Sequence, residues 1–246
     1  ELKIASQSLV EMLNAWRIFS PYSDNAKVTI FGSARTKPGH PDYELTKVFG
    51  ERVAERGWMA ITGAGPGIMT AGIEGVGREN AFGVNIVLPF EQRAAEIIDN
   101  DPKLATFRYF FTRKVTFMKE SHGYAILPGG FGTMDEAFEL LTLMQTGKSI
   151  LAPVVLLDPV GSTYWERWRE FVVSELLEDG LISEADMSLF IITNSVEEAA
   201  DEMTRFYRTF HSTRAVGQRL VIRMKREISD DELASLNTQF DDIIQD

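Results

Sequence analysis

The sequence predicts an α/β fold in which a doubly wound, mostly parallel sheet carries helices on both faces. The first observation behind this prediction is the alternation of short apolar runs with amphipathic segments across residues 27–210. The second is the presence of glycine-rich turns directly after two of the apolar runs, at residues 63–67 and 129–132. Because crossover helices join parallel strands, the turns that follow the strands are expected to converge at one edge of the sheet.

The apolar runs define seven predicted strands, and each lies between segments with helical periodicity. Asp42 is predicted as the N-cap of the first helix after the first strand, and Gly57 as the residue that ends that helix. This alternation is typical of a Rossmann-like domain. The predicted strands cover residues 27–31, 58–62, 83–88, 107–111, 124–127, 153–157 and 189–193.

The chain is predicted to have three parts. Residues 1–26 form a packing helix ahead of the main fold, because one helical stripe carries apolar side chains until Pro21 stops it. Residues 27–210 form a Rossmann-like domain, which the motifs described below make the expected nucleotide-binding catalytic domain, and residues 211–246 form a C-terminal appendage that packs on the core or on another subunit.

The composition excludes several classes of protein. The 246 residues carry 36 acidic and 25 basic side chains, a net charge of −11, which argues against a nucleic acid polymer and against an anionic membrane as partner. The chain has no cysteine, so thiolate zinc sites and cysteine nucleophiles are excluded. Its three histidines lack metal-ligand spacing, and no metal or other cofactor is expected. With no signal-like N-terminus and no long apolar span, the expected location is cytoplasmic.

The stretch from Pro128 to Glu136, Pro-Gly-Gly-Phe-Gly-Thr-Met-Asp-Glu, leads from a predicted strand into a predicted helix. Closely spaced glycines allow a ligand to approach the backbone, and the free N–H groups of a helix start attract phosphate. A structural alternative stays open, because Thr133 and Glu136 have the spacing of a capping box, in which both side chains would only satisfy backbone donors.

Two other nucleotide motifs fail on their spacing. After Gly63 and Gly65, the third glycine of a dinucleotide fingerprint would fall on Ile68, so NAD is disfavoured. The tripeptide Gly147-Lys148-Ser149 resembles the end of a P-loop, but it follows a helix, whereas a P-loop precedes one.

Arg113 and Lys114 lie at the start of another predicted helix, where the helix dipole disfavours positive charge. An anionic ligand or a carboxylate partner would account for them, and a solvated pair is the structural alternative.

Together these motifs resemble the Lonely Guy (LOG) family, whose signature is proline-glycine-glycine-x-glycine-threonine-x-x-glutamate. The glycine turn at residues 63–69 and the pair Arg113-Lys114 match the same family at appropriate distances. The similarity covers residues 27–210, and the flanking segments resemble the longer bacterial branch. Family members were formerly labelled lysine decarboxylases, but no lysine of this chain has a recognisable pyridoxal phosphate context.

The resemblance implies a phosphoribohydrolase that cleaves the N-glycosidic bond of AMP or of a cytokinin riboside 5'-monophosphate, giving the free base and ribose 5-phosphate. It implies that Glu136 acts as base and electrostatic stabiliser, and that Arg113 orients this carboxylate or holds the substrate. The family is usually dimeric, so a homodimer or higher homo-oligomer is expected. The substrate-binding residues implied by the resemblance are Ser33, Gly65, Glu91, Lys114, Gly129, Gly130, Gly132 and Thr133.

The alternative function is a nucleotide-binding or cofactor-carrier protein of the same fold without turnover, because a fold does not fix a function. The helix around Leu140 and Met144 could supply a dimer interface, and an ordinary core stripe explains its apolar residues equally well.

Overall fold

The computed structural model describes residues 2–88, 94–217, 219–241 and 243, and the chain divides into two compact units, Glu1–Thr204 and Arg205–Asp246. The strands are β1 (Lys27–Phe31), β2 (Met59–Thr62), β3 (Ala81–Ile86), β4 (Leu104–Phe107), β5 (Gly123–Ile126), β6 (Val154–Leu157), β7 (Ile191–Thr193), β8 (Phe210–Val216) and β9 (Arg219–Met224). The helices are α1 (Leu2–Phe19), α2 (Pro41–Glu55), α3 (Ile68–Val76), α4 (Phe110–Glu120), α5 (Phe131–Gln145), α6 (Tyr164–Phe171), α7 (Val196–Thr209) and α8 (Asp230–Gln239).

Strands β1 to β7 form one sheet in the order β4-β3-β2-β1-β5-β6-β7, and every neighbouring pair is parallel. Most of its residues are buried, as expected of a parallel sheet that helices cover on both faces. The predicted doubly wound α/β fold is therefore confirmed. The strand order reverses beside β1, which has β2 on one side and β5 on the other. In open α/β sheets, the crevice at such a switch point is the usual place for a ligand.

Helix α1 belongs to the core of the first unit. Its Phe19 stacks on Phe82 of β3 with ring centroids 4.4 Å apart. The buried carboxylate of Glu11 accepts hydrogen bonds from the backbone N–H of Arg108 at 3.2 Å and from the hydroxyl of Thr112 at 2.8 Å. Because the N-cap of α4 makes no side-chain capping bond, Glu11 supplies an acceptor near the N-terminus of the helix that carries Arg113.

The strand predicted at residues 107–111 is wrong in its position. Strand β4 covers Leu104–Phe107, where Leu104 pairs with Gly83 and Phe107 with Ile86 of β3, and α4 begins at Phe110. Phe110 and Phe111 are half exposed in the first turn of that helix. The apolar run therefore marked a helix start, and pairing with β3 fixed the strand three residues earlier.

The predicted N-cap Asp42 is also wrong. Helix α2 begins at Pro41 with His40 as its N-cap, and His40 Nδ1 accepts a hydrogen bond from the N–H of Asp42 at 3.2 Å. Proline is favoured in the first helical position because its missing N–H is not needed there. Helix α2 ends at Glu55 with Arg56 as its C-cap, so the C-cap predicted at Gly57 is one residue too late; Gly57 is the next residue and has a φ of +76°.

In the second unit, β8 and β9 pair as an antiparallel hairpin, and α8 begins with a capping box of Ser229 and Glu232. The predicted division at residues 1–26, 27–210 and 211–246 stays a prediction. In α5, Leu140 and Met144 are buried in the core of the first unit, which favours the core interpretation of that stripe. Within the part of the chain that the structure describes, no helix has the length and apolarity needed to cross a membrane.

Candidate active site

A cavity of about 860 Å³ lies at the carboxyl ends of β1, β2, β3 and β5, beside the switch point. It collects residues from turns that are distant in sequence, because the parallel topology brings these strand ends to one edge. The predicted site residues that line it are Ser33, Gly65, Arg113, Gly129, Gly130, Gly132, Thr133 and Glu136.

The glycine-rich turn ends at the N-terminus of α5, which faces this cavity. The N-cap is Gly130, whose carbonyl accepts the N–H groups of Thr133 and Met134 at 3.0 and 3.1 Å. No side chain caps the helix, so the capping box of Thr133 and Glu136 is wrong. The helix begins at Phe131, which makes Glu136 its sixth residue and leaves that carboxylate without a capping role.

The three glycines of the turn, Gly129, Gly130 and Gly132, differ in what a side chain at each position would meet. A methyl group at Gly129 would overlap the side chain of Thr133, so close packing requires glycine there. A methyl group at Gly130 or Gly132 would meet no atom of the described residues within 4 Å. At these two positions the glycine leaves open space beside free helical N–H groups, which suits the close approach of an anion.

Gly129 is held by a tyrosine from the following crossover. The hydroxyl of Tyr164 donates to the carbonyl of Gly129 at 2.6 Å, and the N–H of Gly129 points back to this hydroxyl at 3.3 Å. The N–H of Gly129 is therefore engaged inside the protein. Gly130 and Gly132 retain the accessible N–H groups of the turn.

Glu136 is the most unusual ionisable group of the cavity. Its side chain lines the cavity but is 6% exposed, and its Oε2 atom accepts no hydrogen bond from any described residue. Burial raises the pKa of Glu136 to about 7, although Arg113 and Lys114 oppose this rise. A carboxyl group with a raised pKa in a cleft is typical of a general acid or base.

Arg113 reaches the same cavity from the opposite helix. Its Nε donates to the carbonyl of Val84 at 2.9 Å, and its guanidinium carbon lies 5.2 Å from the centre of the Phe117 ring. Burial lowers the pKa of Arg113, and the charge of Glu136 opposes this effect. A side chain at Gly63 would overlap the guanidinium group, so the turn after β2 makes room for Arg113.

Lys114 does not line the cavity. Its ammonium group pairs with Asp135 at 2.8 Å and with Glu139, both on α5. Burial alone would lower the pKa of Lys114, but these two ion pairs raise it. Carboxylate partners thus account for one of the two cations at the start of α4, and a substrate contact for Lys114 stays a prediction. Glu91 lies outside the described residues.

Ser33, in the turn after β1, forms backbone hydrogen bonds with the turns after β5 and β2. Its N–H donates to the carbonyl of Pro128 at 3.1 Å, and its carbonyl accepts the N–H of Ile68 at 3.0 Å. Gly67, the N-cap of α3, has a φ of +71°, and a methyl group there would overlap the carbonyl of Ser33. Gly67 is therefore required for close packing against Ser33.

The sequence reasoning missed residues of the cavity wall. Arg35 adds a second arginine, and Asn85 adds a buried amide. Asn85 could have been noticed as the one polar side chain in the apolar run 83–88, whereas the position of Arg35 beside the cavity needed the three-dimensional turn. The apolar part of the wall includes Phe31, Met69, Ile86, Leu88 and Phe110.

The described parts of the chain bring together no group of three His, Asp or Glu side chains that could hold a metal ion. The expectation that no metal is required stays a prediction.

Known proteins resemble this chain in sequence and in fold. A family model described as possible lysine decarboxylase matches residues 66–203, which is more than half of the chain. A cytokinin riboside 5'-monophosphate phosphoribohydrolase of Mycobacterium marinum is 27% identical over 164 residues, 66% of this chain and 86% of that relative. One of the same name from Mycobacterium tuberculosis is 27% identical over 183 residues, 71% of this chain and 96% of that relative.

Among solved structures, a molybdenum cofactor binding protein from Rippkaea orientalis aligns with a TM-score of 0.52 and 17% identity, over 74% of this chain and 97% of the other. This likeness supports the fold alone. The family model covers Arg113 and the whole glycine-rich turn that ends at Glu136. The chain therefore belongs to the family described as possible lysine decarboxylase, the LOG family that its motifs resemble.

Proposed function

We propose that this protein hydrolyses the N-glycosidic bond of a nucleoside 5'-monophosphate, AMP or an N6-substituted cytokinin riboside 5'-monophosphate, and releases the base and ribose 5-phosphate. The observation that carries the proposal is Glu136, a buried carboxylate whose Oε2 accepts no hydrogen bond from the described residues and whose pKa is raised to about 7, in a cavity that the N-terminus of α5 also faces. Relatives named phosphoribohydrolases support the same chemistry.

The 5'-phosphate would bind at the N-terminus of α5. The N–H groups of Gly130 and Gly132 and the hydroxyl of Thr133 provide donors, and the helix dipole favours negative charge there. Arg35 supplies a cation on the same cavity wall. This anchor would hold the ribose in a fixed position relative to the rest of the cavity.

Glu136 suits the position of the scissile bond. It lies six residues after Gly130, about 9 Å along the helix axis, and helical side chains point back toward the N-terminus. Its carboxylate is thus directed toward the ribose of a nucleotide whose phosphate binds at the helix start. Ionised Glu136 would take a proton from the water that attacks C1' and would stabilise positive charge on the ribose as the base departs.

Arg113 would complete the site. Because Val84 holds its Nε, the guanidinium group has a fixed orientation, and its charge favours the ionised form of Glu136. The apolar wall around Met69, Ile86 and Phe110 gives a flat base a surface to contact.

Chromatography of the products tests the proposal. The purified protein is incubated with AMP, CMP, GMP and isopentenyl-AMP, and the free bases are quantified. The account expects base release that falls by a factor of about 10² to 10⁴ in Glu136→Gln. Glu170→Gln, the same change at an exposed position of α6, is the matched control and should retain wild-type activity.

Two outcomes would contradict the proposal. Full activity of Glu136→Gln would remove the assigned role of this residue. Tight AMP binding without any product from the wild type would favour the alternative, a nucleotide-binding or cofactor-carrier protein. The homo-oligomeric state and the cytoplasmic location stay predictions; sedimentation velocity would test the former.

A further inference from the structure

Asn85 is a largely buried polar side chain for which the described residues provide no hydrogen-bond partner. It lies near the carboxyl end of β3, lines the cavity and is 7% exposed. Its amide makes no hydrogen bond to any described residue. The other residues of β3 are apolar or glycine. Because the amide faces the cavity, a ligand bound there can supply its hydrogen-bond partners.

The place of Asn85 in the sheet indicates which part of a nucleotide it meets. The phosphate site follows β5, and β1 and β2 separate β5 from β3, so the two strand ends are three strand spacings apart, roughly 14 Å. In an extended nucleoside 5'-monophosphate, the base lies farthest from the phosphate. Asn85 therefore lies at the distance of the base, beyond the ribose.

The surroundings of Asn85 agree with a base site. Val84, the preceding residue, holds the guanidinium group of Arg113, and Ile86, the following residue, contributes to the apolar wall. A base between these groups would have an apolar contact for its face, while its edge would meet the amide of Asn85.

We propose that Asn85 is a specificity-determining residue that reads the 6-amino and N7 edge of adenine. The amide presents one acceptor and one donor side by side: Oδ1 would accept from the 6-amino group, and Nδ2 would donate to N7. Guanine and hypoxanthine carry an acceptor at position 6 and cannot make this pair. The inference rests on the proposed function, because it assumes that the phosphate of the same nucleotide binds at α5.

Nucleotide analogues test this contact without disturbing the fold. Dissociation constants are measured by calorimetry in the Glu136→Gln background, in which the nucleotides survive the titration. The ligands are AMP, purine riboside 5'-monophosphate, which lacks the 6-amino group, and 7-deaza-AMP, which lacks the N7 acceptor. Loss of the bidentate pair is expected to weaken binding roughly 5- to 150-fold, and loss of one contact by a part of that.

A second variant separates recognition from a structural role. Asn85→Leu keeps the approximate size of the side chain but removes both contacts, so AMP should lose the full 5- to 150-fold, each analogue only its one remaining contact, and the variant should bind all three ligands with similar affinity. Asn14→Ala, at an exposed position of α1, is the matched control and should bind like its parent.

The outcomes distinguish this inference from the proposed function. Equal binding of AMP and both analogues, or an equal loss for all three ligands in Asn85→Leu, would overturn the inference even if the wild type cleaves AMP. Discrimination without cleavage would support the inference and contradict the proposed hydrolase. Failure of every nucleotide to bind would overturn both.

Discussion

Replacing Glu136 with glutamine should make the protein more stable than the wild type at alkaline pH. Folding raises the pKa of this buried carboxyl group from 4.5 to about 7. Between these two values the folded protein keeps a proton that the unfolded chain has lost, so the free energy of unfolding falls as pH rises. Below pH 4.5 both states are protonated and this penalty is absent, whereas above pH 7 it is complete.

The magnitude follows from the pKa difference. At 1.36 kcal/mol for each pH unit, the penalty on the ionised folded state amounts to about 3 kcal/mol. Glutamine has nearly the same shape as glutamate and no charge, so the free energy of unfolding of Glu136→Gln does not fall in this way as pH rises. The stability of Glu136→Gln relative to the wild type should therefore rise by about 2 to 3 kcal/mol between pH 5 and pH 8.

Urea unfolding at pH 5 and pH 8, followed by tryptophan fluorescence, measures this difference. All four tryptophans, Trp16, Trp58, Trp165 and Trp168, lie in the first unit, so the signal reports on the unit that contains the site. Comparison with the wild type at each pH cancels the titration of every other group. A difference that is the same at both pH values would refute the reasoning that burial raises the pKa of Glu136.

Three further predictions concern the site and its support. The kcat/KM of the wild type for AMP should rise with pH around a midpoint near pH 7, because Glu136 must be ionised to act as a base; a flat kcat/KM profile from about pH 5 to about pH 9 would contradict this role. Gly132→Ala should leave the protein as stable or up to about 1 kcal/mol more stable, since the helix prefers alanine, while calorimetry shows weaker AMP binding; unchanged affinity would argue against an anion at this turn. Glu11→Ala should lower the free energy of urea unfolding by about 1 to 3 kcal/mol and reduce kcat, because the N-terminus of the helix that carries Arg113 loses its acceptor; unchanged stability and kcat would show that Glu11 does not support the site.

The sequence was sufficient for the order of strands and helices because buried parallel strands and amphipathic helices leave distinct patterns. It was insufficient at residues 107–111, where an apolar run belongs partly to a strand and partly to the first turn of a helix. Periodicity does not decide such a case, since the position of β4 depends on its pairing with β3.

For the candidate site, too, the sequence predicted some features and not others. The glycine-rich turn, Arg113 and Glu136 could be found from motifs with local spacing. The role of Lys114 could not, because its partners Asp135 and Glu139 lie on another helix. The capping-box interpretation of Glu136 failed because the helix begins at Phe131 with Gly130 as its N-cap, three residues earlier than the spacing of Thr133 and Glu136 suggested.

Asn85 is a site residue that the sequence alone did not indicate. In the sequence it is one polar residue in a predicted strand, with no motif around it. Only the structure shows that its side chain is buried, lines the cavity and lacks a partner among the described residues.

The most direct test of the proposed hydrolysis follows the oxygen atom of the attacking water. The purified wild-type protein is incubated with AMP in H₂¹⁸O, and the products are quantified by mass spectrometry against the Glu136→Gln variant. Hydrolysis at C1' predicts adenine and ribose 5-phosphate in equal amounts, with the label in the sugar phosphate from the earliest time points and in no other product. Bound AMP that is recovered unchanged, or phosphate released with adenosine, would contradict the account.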